Sequence, residues 1–129
     1  RSADLIMSLT VEEHKYYRGD KLQSIEYVTE FIDNNNDGVM YYMDAETGMY
    51  TDYGYCIDEL QCYTNDWRKV AEDCCKRYGC ELVGEELKAT AEDALVQTML
   101  AIYAWIEFRD WLYYDQIEEK RGIMHDKGE

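Results

Sequence analysis

Apolar residues along much of the chain recur at three- and four-residue spacing, the period of a helix with one buried face. Thr10-Val11-Glu12-Glu13 has the form of a capping box, a hydroxyl at a helix start with a glutamate three residues on. It predicts a short helix from about Val11 to Arg18, ended by Gly19. Asp20 with Gln23 repeats the signature, and Leu22, Ile25, Val28, Phe31 and Ile32 then make one stripe, so a second helix is expected up to an acidic loop at Asp33. Tyr41 to Tyr63 shows neither period and holds six tyrosines with Gly48, Gly54 and several acids. A helix fragment, an irregular loop and a turn of helix around Ile57 to Cys62 are expected there.

Asn65 can cap a helix from about Asp66 to Tyr78, with Trp67, Val70, Ala71, Cys74 and Cys75 on its apolar side and Gly79 as its stop. From Glu85 to about Arg121 no glycine or proline intervenes. One helix of roughly 37 residues, about 55 Å long, is the simplest reading. Its apolar residues between Leu95 and Ile117 cover more than one stripe, which suits either a central core helix or an oligomer interface. Residues 122–129 read as a frayed tail.

Composition sharpens this picture. A chain of 129 residues that is 47% apolar can bury a core and is expected to form a single domain, and the absence of proline favours long helices. The expected fold class is therefore mainly α. Thirteen basic against twenty-eight acidic residues leave a formal charge of -15, which disfavours nucleic acid and anionic lipid as partners. His14 and His125 sit near the chain ends, leaving little for a histidine-ligated zinc or a histidine-based triad. No apolar run is long enough to span a bilayer, so no membrane insertion is expected.

Cys56, Cys62, Cys74, Cys75 and Cys80 fall in one window without a zinc-type CxxC pattern. Two disulfides with one odd sulfur fit a secreted protein, and the odd cysteine suggests a disulfide-linked homodimer. Ordinary thiols in a reducing cell are the competing reading. The start at Arg1 fits either a mature chain after leader removal or a trimmed one.

One stretch carries recognisable chemistry. Asp33-Asn-Asn-Asn-Asp-Gly-Val-Met-Tyr-Tyr-Met-Asp44 has oxygen side chains at positions one, three and five, glycine at six, an apolar residue at eight and an acid at twelve. It resembles the calcium loop of the EF-hand family. The resemblance implies a metal set of Asp33, Asn35, Asp37, Val39 through its carbonyl, Tyr41 at position nine, and Asp44, with Gly38 turning the backbone. Calcium at one site is implied, and because Asp44 replaces the usual bidentate glutamate, magnesium is expected to compete. The form of the loop is also similar to a dockerin loop, although only one copy is present.

EF-hands usually come in pairs. Placing Leu82 at position eight sets Cys75 at one and Glu86 at twelve, which suggests a degenerate hand braced by a Cys75–Cys80 disulfide in place of the ion. The expected architecture is thus an EF-hand-like helix-loop-helix pair, an intact hand at about 20–50 and a degenerate one at about 65–100, with a long C-terminal helix and disulfide staples. The expected function is a secreted, non-enzymatic calcium-binding module in which the loop stabilises a tyrosine-rich binding or assembly surface. A protein partner or self-association is implied. The alternative is an intracellular calcium sensor that grips target peptides with Met40, Met43 and Met49.

Overall fold

Between Thr10 and Ile32 the chain is rich in β-branched and aromatic residues, and a glycine-acid pair, Gly19-Asp20, divides it. In the computed structural model, which describes the backbone of residues 10–128 and the side chains of residues 10–112, this stretch is a hairpin. Strand β1 (Thr10–Arg18) and strand β2 (Lys21–Ile32) pair antiparallel, with Arg18 opposite Lys21. Gly19 takes φ 64 in the first central position of that two-residue turn, where only glycine is unstrained. The two helices expected here are therefore strands. Along β2 the buried residues are Ile25, Tyr27 and Thr29, a period of two that the Leu22-Ile25-Val28 stripe had masked.

Strand β3 (Gly38–Asp44) returns beside β2, and the two-residue strand β4 (Tyr50–Thr51) follows. Helix α1 (Tyr55–Gln61) and helix α2 (Trp67–Tyr78) come next. A short hairpin of β5 (Glu81–Val83) and β6 (Glu86–Ala89) leads into helix α3 (Glu92–Gly128). All strands join one antiparallel sheet of six strands in the order β1-β2-β3-β4-β6-β5.

The fold is thus mixed, with helices packed on a sheet, and the mainly α expectation is overturned. Helix α2 lies where its stripe and Gly79 placed it, and the long helix exists. It starts at Glu92 rather than Glu85, because Glu86–Ala89 is strand, and it continues as backbone helix through Gly128, where a frayed tail was expected. The degenerate hand is absent: between Cys75 and Glu86 lie the end of α2 and the β5 strand, and Leu82 pairs with Leu87.

The core forms where Ile25, Tyr27, Val39, Tyr41, Leu87 and Ala89 of the sheet meet the helices. Leu95, Val96, Met99, Ile102 and Ile106 supply the α3 side of that contact at three- and four-residue spacing. Burying such side chains contributes roughly 1.5–3 kcal/mol each. Tyr27 and Tyr41 stack with centroids 5.0 Å apart, and the Tyr41 hydroxyl donates to Glu92 Oε2 at 2.8 Å, tying β3 to the start of α3.

All five cysteines are free thiols, so the expected disulfide staples are absent. Cys56, Cys75 and Cys80 are buried and serve as small apolar residues of the core. The Cys75 and Cys80 thiols are hydrogen-bonded neighbours, and Cys80 Sγ also donates to the Lys88 carbonyl at 3.4 Å. The inference of secretion rested on paired cysteines and loses that support.

Candidate functional site

The Asp33–Asp44 stretch forms the turn and return strand of a β-hairpin. Asp33 Oδ1 accepts the backbone N–H groups of Asn35 and Asp37, each at 2.9 Å, and the Asp33 N–H donates to the Asp37 carbonyl at 2.8 Å. Asn36 takes φ 66. This is an Asx turn that satisfies its own backbone.

The following strand then separates the expected ligands. Gly38 pairs with Ile32 and Asp44 with Ser24, at opposite ends of β3, and six extended residues at about 3.3 Å each put Asp44 roughly 20 Å along the strand. Asp44 instead accepts from Thr47 Oγ1 at 3.0 Å, the Val39 carbonyl accepts from Thr29 Oγ1 at 2.7 Å, and Tyr41 is fully buried. Asn35 donates to Glu59 Oε1 at 2.6 Å. Asp33, Asn35 and Asp37 share the turn, but Val39, Tyr41 and Asp44 do not converge on them. Among the described residues no group of three or more His, Cys, Asp or Glu side chains is placed to hold a metal ion. The EF-hand architecture is corrected accordingly, and the six residues implied as its ligand set are not gathered at one point. An EF-hand loop needs helices on both sides, and this turn has strands.

A different surface is assembled at the corner between β4 and α1. Asp52 is 0% exposed and its carboxylate receives four backbone N–H groups. Oδ1 accepts from Gly54 at 2.9 Å and Leu87 at 2.8 Å, and Oδ2 from Cys56 at 3.1 Å and Ile57 at 3.3 Å. One side chain thereby caps the start of α1 and ties it to β6. Burial raises its pKa, the N–H groups of Gly54, Leu87 and Ile57 oppose that rise, and the Glu86 charge adds to it.

This anchoring holds an unusual backbone. Tyr53 sits at φ 50 and Gly54 at φ 83, and a Cβ on Gly54 would lie 3.3 Å from the Glu85 carbonyl. A left-handed non-glycine residue costs about 1–3 kcal/mol and persists where its surroundings over-determine it. Here the result is display of aromatic rings. Tyr42 points away from the Tyr41 face of β3, and the rings of Tyr53 and Tyr55 cover it at 4.9 and 6.0 Å between centroids. Tyr55 is 66% exposed and Tyr53 38%. Burial pushes the hydroxyl pKa of both Tyr42 and Tyr53 up, reinforced by a hydrogen bond to Glu26 at Tyr42 and by the Asp44 charge at Tyr53.

Tyr55 stands between two open cavities. One, of about 450 Å³, is walled by Tyr53, Tyr55, Asp58, Glu85 and Glu86 among others; the second, of about 380 Å³, shares Tyr55 and Asp58 and adds Asp33, Asp37 and Glu59. Neither wall contains a lysine, arginine or histidine. Comparison with protein-family models, curated proteins and solved structures finds no match. The site is therefore judged on its own geometry: it offers ring faces and carboxylate acceptors, no cation lines either cavity, and Lys88 Nζ lies 3.8 Å from Glu86 Oε2 at the rim.

The sequence marked the tyrosine-rich segment as a candidate surface but missed its organiser. Asp52 ahead of Tyr53-Gly54 and an apolar turn carried an available signal, an acid poised to cap a helix. The helix expected from Glu85 takes in Glu85 and Glu86, which lie instead in the β5–β6 turn and at the start of β6.

Proposed function

We propose that this chain is a non-enzymatic binding module whose acidic, tyrosine-walled surface takes a basic segment of a partner protein. The observation that carries the reading is the exposed Tyr55 ring standing between two cavities lined by Asp33, Asp37, Asp58, Glu59, Glu85 and Glu86 with no base among them. A guanidinium or ammonium head that lies over a tyrosine face gains about 0.5–1 kcal/mol at an exposed site. Carboxylates at the rim add charge-assisted hydrogen bonds, most directionally to arginine. The net charge of -15 draws such a segment in from a distance.

The test is fluorescence anisotropy with a labelled arginine-glycine repeat peptide at physiological salt. Tyr55→Ala is expected to weaken binding about threefold to fivefold, in line with one lost cation–π contact. Joint neutralisation of Asp58, Glu85 and Glu86 should weaken it further. Neutralising Glu72 and Asp73, exposed acids of α2 outside both cavities, is the control. Equal losses from both sets of acids, with Tyr55→Ala silent, would reduce the effect to bulk charge and overturn the reading.

A further inference from the structure

Strand β1 forms one edge of the sheet, and among the described residues no strand lies beyond it. It is nine residues long and exposed almost throughout, whereas the opposite edge strand, β5, has only three residues. A long edge strand presents a row of backbone donors and acceptors that can template pairing with another chain. Its pairing with β2 is irregular between Thr10 and Glu12 and again between Tyr16 and Tyr17, which leaves Glu12–Tyr16 as an unbroken run.

We infer that this edge pairs antiparallel with β1 of a second copy, about a two-fold axis through His14. The backbone restricts the registers. Along a strand the outward-facing backbone groups belong to alternate residues, so when two copies use the same edge, directly opposed residues must be an even number of positions apart. Centring on Glu13 or Lys15 would oppose like charges on the axis. Centring on His14 sets Glu13 of each copy against Lys15 of the other, twice by symmetry, and Glu12 against Tyr16. The exposed apolar residues Val11 and Tyr17 close the two ends of that run. Glu13 and Lys15 lie on the face of β1 that also carries Tyr27 and Ile25 on β2, opposite which they pair, so both charged side chains of each copy reach the same side of the joined sheet. The charge pattern of the strand is its own complement, and that argues for a second copy over an unrelated strand.

Sedimentation of the full chain across a wide concentration range tests this with charge swaps. The wild type is expected to show a monomer–dimer equilibrium. Glu13→Lys and Lys15→Glu each replace two opposite-charge contacts by two like-charge ones and should weaken it about tenfold or more. An equimolar mixture of these two variants, and the double variant Glu13→Lys/Lys15→Glu, should both restore dimer. Both sites are exposed and circular dichroism will show that the fold is kept. A wild type that stays monomeric, single variants that dimerise like wild type, or a mixture that fails to pair would each overturn the inference.

Discussion

The corner around Asp52 and the β1–β2 hairpin are both built on antiparallel strands, yet they are held in opposite ways. At the corner, a two-residue strand and a seven-residue helix are fixed by one buried carboxylate, and Thr51 Oγ1 adds a bond to Glu86 Oε2 at 2.8 Å. The hairpin has twenty-one strand residues in β1 and β2 but few buried ones, and its outer strand is held by ladder hydrogen bonds and by exposed side-chain contacts such as Tyr16 Oη to Glu26 Oε1 at 3.2 Å. Length of regular structure is thus a poor guide to where stability sits. The short corner carries the strained backbone and the aromatic display, and the long hairpin ends in an edge strand beyond which no strand lies among the described residues.

The sharpest way to break this contrast is Asp52→Ala. It orphans four backbone donors, three of them buried, and a loss of about 3–5 kcal/mol in urea unfolding is expected, since each unsatisfied group costs about 1–3 kcal/mol and some will find water. Amide exchange at Ile57 and Leu87 should accelerate together. Substitutions in β1 such as Lys15→Glu should change folding stability by no more than about 0.5 kcal/mol. If the two regions respond equally, the contrast is wrong.

Gly54→Ala should act next most strongly, by about 1–2 kcal/mol, because it forces a side chain into a left-handed backbone against the Glu85 carbonyl. Thermal unfolding is the measurement. The smallest effect is in pH dependence. The folded-state pKa of Asp52 is raised from its ordinary value of 3.8, so the folded chain holds its proton longer than the unfolded one. This group's contribution is therefore full below about 3.8 and is lost as pH rises through the folded-state pKa. Asp52→Asn should flatten that part of the profile relative to wild type, and unchanged curves would show that Asp52 does not titrate differently on folding.

How much of this was legible in the sequence depends on which signals were local and which depended on partners. Helix α2 was legible because Trp67, Val70, Ala71 and Cys75 form one stripe that ends at Gly79, and α3 because no glycine or proline falls between Glu92 and Arg121. The hairpin was not, because Thr10-Val-Glu-Glu13 meets a four-residue capping pattern inside a strand. Gly19-Asp20 likewise reads equally as a helix stop with a new cap or as a two-residue turn. Only pairing between β1 and β2 decides between these. Asp33 to Gly38 has the residues of a metal loop because the same short acids and amides make Asx turns; the strands on either side settle which it is. Of the clustered cysteines, α1, α2 and the turn before β5 bring Cys56, Cys75 and Cys80 into the core, where thiols pack without bonding covalently, while Cys62 is exposed and Cys74 half-buried. The tyrosine-rich segment is a candidate surface in the sequence, yet Tyr41 and Tyr42 are buried, and the acids beside Tyr55, Asp33, Asp58 and Glu85, are brought together only by the fold.

The most direct test of the binding reading is backbone amide exchange of the full chain with and without the arginine-glycine peptide. Added protection centred on Tyr53 to Glu59 and on Glu85 and Glu86, with α2 unchanged, is the predicted result. Protection spread evenly over the acidic exterior, or none at the corner when the peptide is bound, would contradict it.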